Sequence, residues 1–530
     1  MGTIDWIKGF FMKFTLKCKP DLKEKLNRTA KILFFIYIVI QPLLDTIYLF
    51  DERVVAFFGI SPSTIIRFLM IGVIAVIVFW ANGFTKKFRI LLTYGIIVII
   101  YFAFHCLNAR NFNTVNPLLS GFSITNEVSY ILRFIVPALV VYIASSIGIS
   151  KSFFEKAITI LSATMSGLIV ITNIFCISLD SYTNERIKFN IFVWFTDAYR
   201  SDSFNGLASK AFFNFANMVS VIFCMLLPLI IYFAVHRSKA YFGLAFLHSV
   251  AMLMLGTKTS TYGVFLILTA CVFIYIFLLI TKQEKSPGKQ TLTNFAAMGV
   301  ICVMIIGVIL PVSPAIYRNN ISSDYMQHYD ELKKDDKDDK DDDIPDEEYS
   351  EEQLLLKKKL SDSGIMSRFY IKCYNFVYDM DFWEDMTKFD SAKRLDSRFI
   401  EKSMLDRVKE LNNNSLDNWL GITYDRTSRI YNLEQDTLYQ YYSLGIIGVI
   451  VFIAPYFAIL VYGIFICLRH FKQLCNFENI CVLFGIALTL ATGFYCGNTI
   501  DNPFANILLS FICAYSVIFI RPDSSKSEIK

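Results

Sequence analysis

Charge is what this sequence has least of. Of 530 residues only 18% are Asp, Glu, Lys or Arg, while 55% are hydrophobic and 16% aromatic, with 50 Phe and 28 Tyr. A soluble protein of this length could not cover so much apolar surface with so few charges, which excludes a water-soluble globule. Histidine is scarcer still, at five in the chain. The histidines do not cluster and no CxxC pair exists, so metal held by side chains is not expected and no cofactor is implied. Most of the 12 cysteines fall inside apolar runs (Cys106, Cys176, Cys224, Cys271, Cys302, Cys467, Cys496, Cys513) and read as packing residues rather than disulfide partners. The net charge of +5 gives nucleic-acid binding no support.

What the chain does have is long apolar runs. A hydrocarbon core of about 30 Å needs about 20 mostly apolar helical residues, and such windows recur along nearly the whole sequence. They predict an all-α polytopic membrane protein with twelve spans, near 31–50, 64–81, 88–106, 127–147, 157–179, 212–235, 241–256, 260–281, 294–312, 439–467, 479–495 and 503–520. GTKTST, residues 256 to 261, reads as a tight turn separating the seventh and eighth spans.

Positive flanks resist translocation, so Lys and Arg orient the spans. One set of flanks carries 23 of them, including the basic residues of segment 1–30 and of the tail 521–530; the short connections of the opposite set carry seven, namely Arg53, Arg110, Arg186, Lys188, Arg200, Lys210 and Lys258. Both termini are therefore expected on the cytoplasmic side. The start, MGTIDWIKGFFMKFTLKCK, has no small-residue cleavage site and reads as a cytoplasmic or interfacial segment.

This orientation places one long hydrophilic connection, residues 313–438, outside, between the ninth and tenth spans. It holds 29 acidic and 19 basic residues, net −10, so the rest of the chain is +15. Its stretch 333–353, KKDDKDDKDDDIPDEEYSEEQ, is expected to be a disordered solvated spacer; it lacks the Gly and spaced Glu of an EF-hand. Residues 360–438 are expected to be partly helical, with Phe399, Leu405, Val408 and Leu411 on one face.

Ionisable residues inside spans are costly and mark candidate sites. Asp45 and Arg67 lie near the outer ends of the first two spans, where they could simply pair with each other, and Arg133 lies in the outer third of its own span. Lys258 sits in the 256–261 turn, Asn217 near the outer end of the sixth span, and Asn498 and Asp501 flank the last outer turn. The candidate polar chemistry thus collects on the non-cytoplasmic side. Transporter sites belong near the midplane, often on repeated halves, and no such repeat is evident; a lipid-linked oligosaccharide flippase or other transporter stays the rival of a different class. Cations gathered at an outer leaflet suit an anionic headgroup such as a diphosphate, which Arg grips bidentately and Lys meets as a point charge. Arg53 and Arg110 read as interfacial anchors.

Several segments together resemble the O-antigen ligase and Wzy-type polysaccharide polymerase superfamily of membrane glycosyltransferases, a GT-C-like architecture commonly of twelve spans with a large external loop between the ninth and tenth. NLEQDTLYQYYSLGIIGVIVF resembles the ligase pattern of His, then Asn, Ser or Gln, nine residues, then GxxG; Gln435 takes the second position before Gly445 and Gly448. Glu434 stands where ligases have His, so this chain looks more like relatives from Gram-positive polysaccharide loci, with an acidic Glu434-x-Asp436 before the glycine pair. MLGTKTSTYGVF is similar to the family's short turn in which a basic residue precedes a hydroxyl, placing Lys258 at a phosphate contact. GLASKAFFNFANMVSVIF resembles its Asn-containing start of the sixth span, with Asn217, and CGNTIDNP resembles its GHVLxxP, with Asn498 in place of His.

The resemblance implies transfer of a glycan from an undecaprenyl-diphosphate donor, in the lipid bilayer, to the hydroxyl of an acceptor glycan or other surface molecule. In that scheme Glu434 is the general base and Asp436 the competing candidate; a glutamate of ordinary acidity is ionised at neutral pH and needs no tuning. Two positions apart, they face different sides of a helix, and either also suits an acidic helix N-terminus. Lys258, Arg200, Arg133 and Arg67 would neutralise the leaving diphosphate, with Asn217 beside them. Asn498, Asp501, Asp45, Arg429 and Arg426 are supporting candidates. No metal is needed when fixed cations do this work.

Overall fold

The computed structural model describes residues 19–50, 61–196, 206–284, 289–320, 349–431, 433–497 and 499–522. The leading segment through residue 18, nearly all of the acidic stretch expected to be disordered, and the candidates Arg200 and Asn498 lie outside them.

Among the described residues every regular element is helical, with isolated bridges in place of strands. In chain order the longer ones are α1 (Pro20–Val39), α2 (Pro62–Asn82), α3 (Lys86–Asn108), α4 (Ile124–Ile147), α5 (Lys151–Ile174), α6 (Ala216–His236), α7 (Ala240–Met254), α8 (Lys258–Ile280) and α9 (Lys289–Met304). There follow α10 (Glu351–Asp362), α11 (Met380–Thr387), α12 (Ser397–Asn412), α13 (Tyr424–Ile430), α14 (Asp436–Phe452), α15 (Ala454–Arg469), α16 (Phe477–Thr492) and α17 (Pro503–Phe519). Among the described residues eight helical stretches are long and apolar enough to cross a membrane: α2 to α6, α8, Thr293–Val312, and the 34-residue run Asp436–Arg469 through α14 and α15. α7, α16 and α17 are shorter apolar helices.

Helix ends follow local chemistry. Ser61 accepts the Thr64 N–H at 3.3 Å and Pro62 opens α2, Ser150 accepts from Phe153 at 3.1 Å ahead of α5, and Asn502 accepts from Phe504 at 2.8 Å with Pro503 opening α17. The first apolar window is placed differently from expectation. Its helix starts at Pro20, in a polar but helix-forming stretch that hydropathy does not register, and ends at Val39; the rest of the window is single 3₁₀ turns at Leu43–Asp45 and Ile47–Phe50. Pro42, which has no N–H to give and disfavours helix at the residue before it, accounts for the stop.

The chain divides into two compact units. One comprises residues 1–96, 133–316 and 455–530, the other 97–132 and 317–454. In the first, α6 is enclosed along its membrane-length stretch and α7, α8 and α16 pack on it, which explains why α6 is apolar all round. The second gathers the last half of α3, the first half of α4 and the helices from α10 to α14. There α12 buries Ile400, Glu401, Met404, Leu405 and Val408, a face rotated from the expected one, with Phe399 and Leu411 only half-buried.

Candidate functional site

The first unit carries the cations. Its turn at Gly256–Thr261 is held from three sides: Tyr182 Oη donates to the Gly256 carbonyl at 2.6 Å, Thr257 Oγ1 meets Ser220 Oγ of α6 at 2.7 Å, and Thr259 Oγ1 meets Cys496 Sγ at 2.7 Å. Thr257 also caps α8 by accepting the Ser260 N–H at 3.1 Å. Lys258 is the first residue of α8, is exposed, and pairs with none of the described residues. A lysine there faces the positive end of its own helix dipole, which is unfavourable for the fold. At the positive end of a helix dipole it makes an anion-attracting point. Asn217, half-buried, lies one turn before Ser220 and so on the face of α6 that meets this turn.

Arg67 and Asp45 do pair. Their charged atoms are 3.6 Å apart with both side chains 1% exposed, and Arg67 further donates to Gln41 Oε1 at 2.8 Å and Ser63 Oγ at 2.6 Å. Arg133 meets Asp501 at 3.8 Å, with the arginine 27% exposed, and stands close enough to Arg67 for their charges to repel. The structure thus brings Arg67, Arg133, Asp45 and Asp501 into one cluster, of which Arg133 is the more accessible cation. Lys210 is buried against Asn184 and the Asn214 carbonyl, and burial lowers its pKa to about 8.

The second unit carries the carboxylates. Glu434 lies in the short stretch between α13 and α14, 49% exposed, with Arg398 of α12 at 3.7 Å. Asp436 is the first residue of α14 and is 2% exposed, so the two carboxylates have opposite environments. Downstream, Gly445 has φ +68° inside α14, and a Cβ there would lie 2.3 Å from the Trp419 carbonyl carbon. The helix breaks at this point because another strand of backbone occupies the space: Ile422 N donates to Tyr442 O at 2.8 Å and Thr423 N to Ser443 O at 3.1 Å, while Tyr101 Oη donates to Leu444 O at 2.6 Å. At Gly448 a Cβ would come within 2.6 Å of that same tyrosine hydroxyl. Gly445 is therefore a requirement of the backbone and Gly448 one of close side-chain packing.

Arg426 and Arg429 are occupied. Arg426, 1% exposed, donates to the carbonyls of Leu119 at 2.9 Å and Ala109 at 3.0 Å and lies 3.9 Å over the Phe112 ring; burial lowers its pKa to about 10 against the pull of Glu127, Asp417 and Asp425. Arg429 holds Asp425 at 2.5 Å and the Leu118 carbonyl at 2.6 Å.

Sequence reasoning passed over two features. His105 and Glu127, both fully buried, meet at 3.1 Å; the other His105 nitrogen faces the Leu420 carbonyl at 2.6 Å, and Glu127 accepts the Asp425 N–H at 2.6 Å. Each is an ionisable residue near the end of an expected span, which is the signal that would have found them. The other is Glu401, 2% exposed on α12, with the Glu434 carboxylate close enough to repel its charge. A search for apolar spacing treats such a residue as a surface position.

A family model for O-antigen ligase like membrane proteins matches residues 27–523. The chain belongs to that family. No curated protein matches the sequence. For this O-antigen ligase-like protein, membership together with the helical architecture makes it a multi-pass membrane protein and a glycan-transfer enzyme of surface-polysaccharide synthesis in the general sense.

Proposed function

We propose that the protein transfers a glycan from an undecaprenyl-diphosphate carrier to an acceptor hydroxyl at the outer face of the cytoplasmic membrane, most simply as a polymerase of a surface polysaccharide. Lys258 carries this reading: an exposed ammonium, unpaired to any described residue, opens a helix in a turn tied down by hydrogen bonds. Such a group has little use to the fold and suits a diphosphate.

In the reaction the bond from the anomeric carbon to the diphosphate oxygen breaks and a bond to the acceptor oxygen forms. The acceptor proton passes to Glu434, whose exposed carboxylate is free to reach a substrate, and the leaving diphosphate gains the charge that Lys258, Arg133 and Arg200 neutralise. Arg67, buried and spent on Asp45, does not touch substrate in this scheme. Asp436, buried at the start of α14, serves the helix dipole. The excess of Lys and Arg on the other set of connections supports placing this chemistry outside, with both termini inside.

The test supplies undecaprenyl-diphosphate oligosaccharide to the purified protein and to Glu434→Gln and Lys258→Ala. Loss of transfer in each is expected, and full activity in both sinks the assignment. Activity surviving a divalent chelator is expected; its loss overturns a scheme in which cations of the protein suffice. With donor alone, a ladder of longer glycans marks a polymerase, whereas dependence on a second, unlike acceptor marks a ligase.

A further inference from the structure

We propose that Asp180 and Tyr182, in the connection between α5 and α6, are the positioning residues of Lys258: they lock that connection onto the Gly256–Thr261 turn and so set where the ammonium stands. The inference deepens, and rests on, the reading of Lys258 as the contact to the leaving diphosphate. Asp180 is fully buried, and its carboxylate gathers three backbone N–H groups: Oδ1 accepts those of Tyr182 at 2.9 Å and Thr183 at 3.0 Å, and Oδ2 accepts that of Gly206 at 2.9 Å. Backbone N–H bonds to a carboxylate are about twice as strong as those between neutral groups. One side chain therefore fixes two stretches that lie 26 residues apart in the chain.

Both stretches reach the turn. From the first, the Tyr182 hydroxyl donates to the Gly256 carbonyl at 2.6 Å. From the second, the Ser209 N–H donates to the carbonyl of Met254, the last residue of α7, at 2.7 Å, which satisfies an acceptor that has no partner within its own helix. Ala208 closes the same side: Gly256 has φ +65°, and a Cβ added there would lie 2.6 Å from the alanine methyl. The two stretches also pair with each other, Leu179 N–H donating to the Ala211 carbonyl at 2.9 Å, Lys210 N–H to the Leu179 carbonyl at 3.0 Å and Ser209 Oγ to Ser178 Oγ at 2.7 Å. Because the peptide unit is planar, holding the Gly256 carbonyl also holds the Thr257 nitrogen and Cα, one residue before Lys258. A lysine opposed by its own helix dipole gains nothing locally from standing there, so the restraint on it comes from this connection. A cation fixed in advance is what stabilises charge developing on a leaving group without reorganisation.

The experiment supplies undecaprenyl-diphosphate oligosaccharide to the full-length protein and measures kcat, KM and the inhibition constant of inorganic diphosphate. It compares wild type, Tyr182→Phe, Asp180→Asn and Asp180→Ala, each with Lys258 present and combined with Lys258→Ala. Tyr182 is 38% exposed and phenylalanine removes only its hydroxyl, so the unfolding midpoint should stay near wild type while kcat falls about 10-fold and diphosphate inhibition weakens by a similar factor. Asp180→Asn keeps the Oδ1 acceptor and loses the bond to Gly206, so its activity should lie between those of wild type and Asp180→Ala. Combined with Lys258→Ala, the same substitutions should cost less than about 2-fold, because no ammonium is left to misplace. Losses that multiply in full in Lys258→Ala mark a general role in the fold and overturn the proposal, as does a Tyr182→Phe protein with wild-type kcat and diphosphate inhibition. If Asp180→Ala does not fold, Tyr182→Phe and its combination with Lys258→Ala decide alone. The two readings fail separately: a fully active Lys258→Ala sinks Lys258 as the diphosphate contact, whereas an impaired Lys258→Ala in which Tyr182→Phe still costs its full factor sinks only the positioning role.

Discussion

The unit built around α6 and the unit that carries Glu434 treat buried charge differently. In the first, charges are few and pair locally: Arg67 with Asp45, Arg133 with Asp501, and Lys210 with amide and carbonyl oxygens. In the second they join a network running from His105 and Glu127 through Asp425 to Arg429, with Arg426 gripping three carbonyls beside it. The contrast shows how a functional group is distinguished from a structural one of the same type. Arg426 and Lys258 are both cations in a mostly apolar protein. One is buried and satisfied by main-chain oxygens; the other is exposed and opposed by its own helix. Among the carboxylates the same test separates Glu434, half exposed, from Asp425 and Glu127, which are buried and bonded.

That separation can be broken by measurement. The largest effect is expected for Glu434→Gln, which should lower the transfer rate about 100- to 10,000-fold while leaving the melting temperature near wild type, as befits a general base rather than a structural group. Arg426→Met should do the reverse, costing about 3 kcal/mol of stability by leaving buried carbonyls unpaired, read as a lowered unfolding midpoint; an unfolding curve identical to wild type would put Arg426 on the functional side. Lys258→Ala is expected to slow transfer about 100-fold, and Lys258→Arg to restore most of it. Gly448→Ala should destabilise by about 1 to 3 kcal/mol, because its methyl meets the Tyr101 hydroxyl, and pairing it with Tyr101→Phe should recover part of the loss. Smallest is Asp501→Asn: the ion pair with Arg133 is long and partly exposed, so a stability change under about 1 kcal/mol is expected.

Much of the membrane architecture was legible because hydropathy registers long apolar helices directly, and the break at residues 256–261 was legible from its glycine and hydroxyls; α7 ends at Met254 and α8 begins at Lys258 as that predicts. The first apolar window was misplaced because α1 starts in charged residues. The glycine pair was legible as a motif, yet its cause was not: nothing in the spacing of Gly445 and Gly448 reveals the backbone at Trp419 or the ring of Tyr101, which come from far along the chain. Glu401 was missed for a similar reason, since a buried carboxyl on an amphipathic helix looks in sequence like a solvated one. Asp45 and Arg67 were recognised as a possible pair because each was an isolated charge of opposite sign in neighbouring spans.

The break in α14 at Gly445 also sets how this region opens. Residues Tyr442, Ser443 and Leu444 lend their carbonyls to Ile422, Thr423 and Tyr101, so the helix start cannot fray without also releasing the 417–423 segment. Hydrogen exchange should therefore find the amides of Ile422 and Thr423 opening together with those of α14, as one cooperative unit with a single opening free energy. The stretch holding Glu434 is tethered to the edge of that unit, so its lifetime in the working geometry is governed by a shared, all-or-none event rather than by the looseness of a local loop.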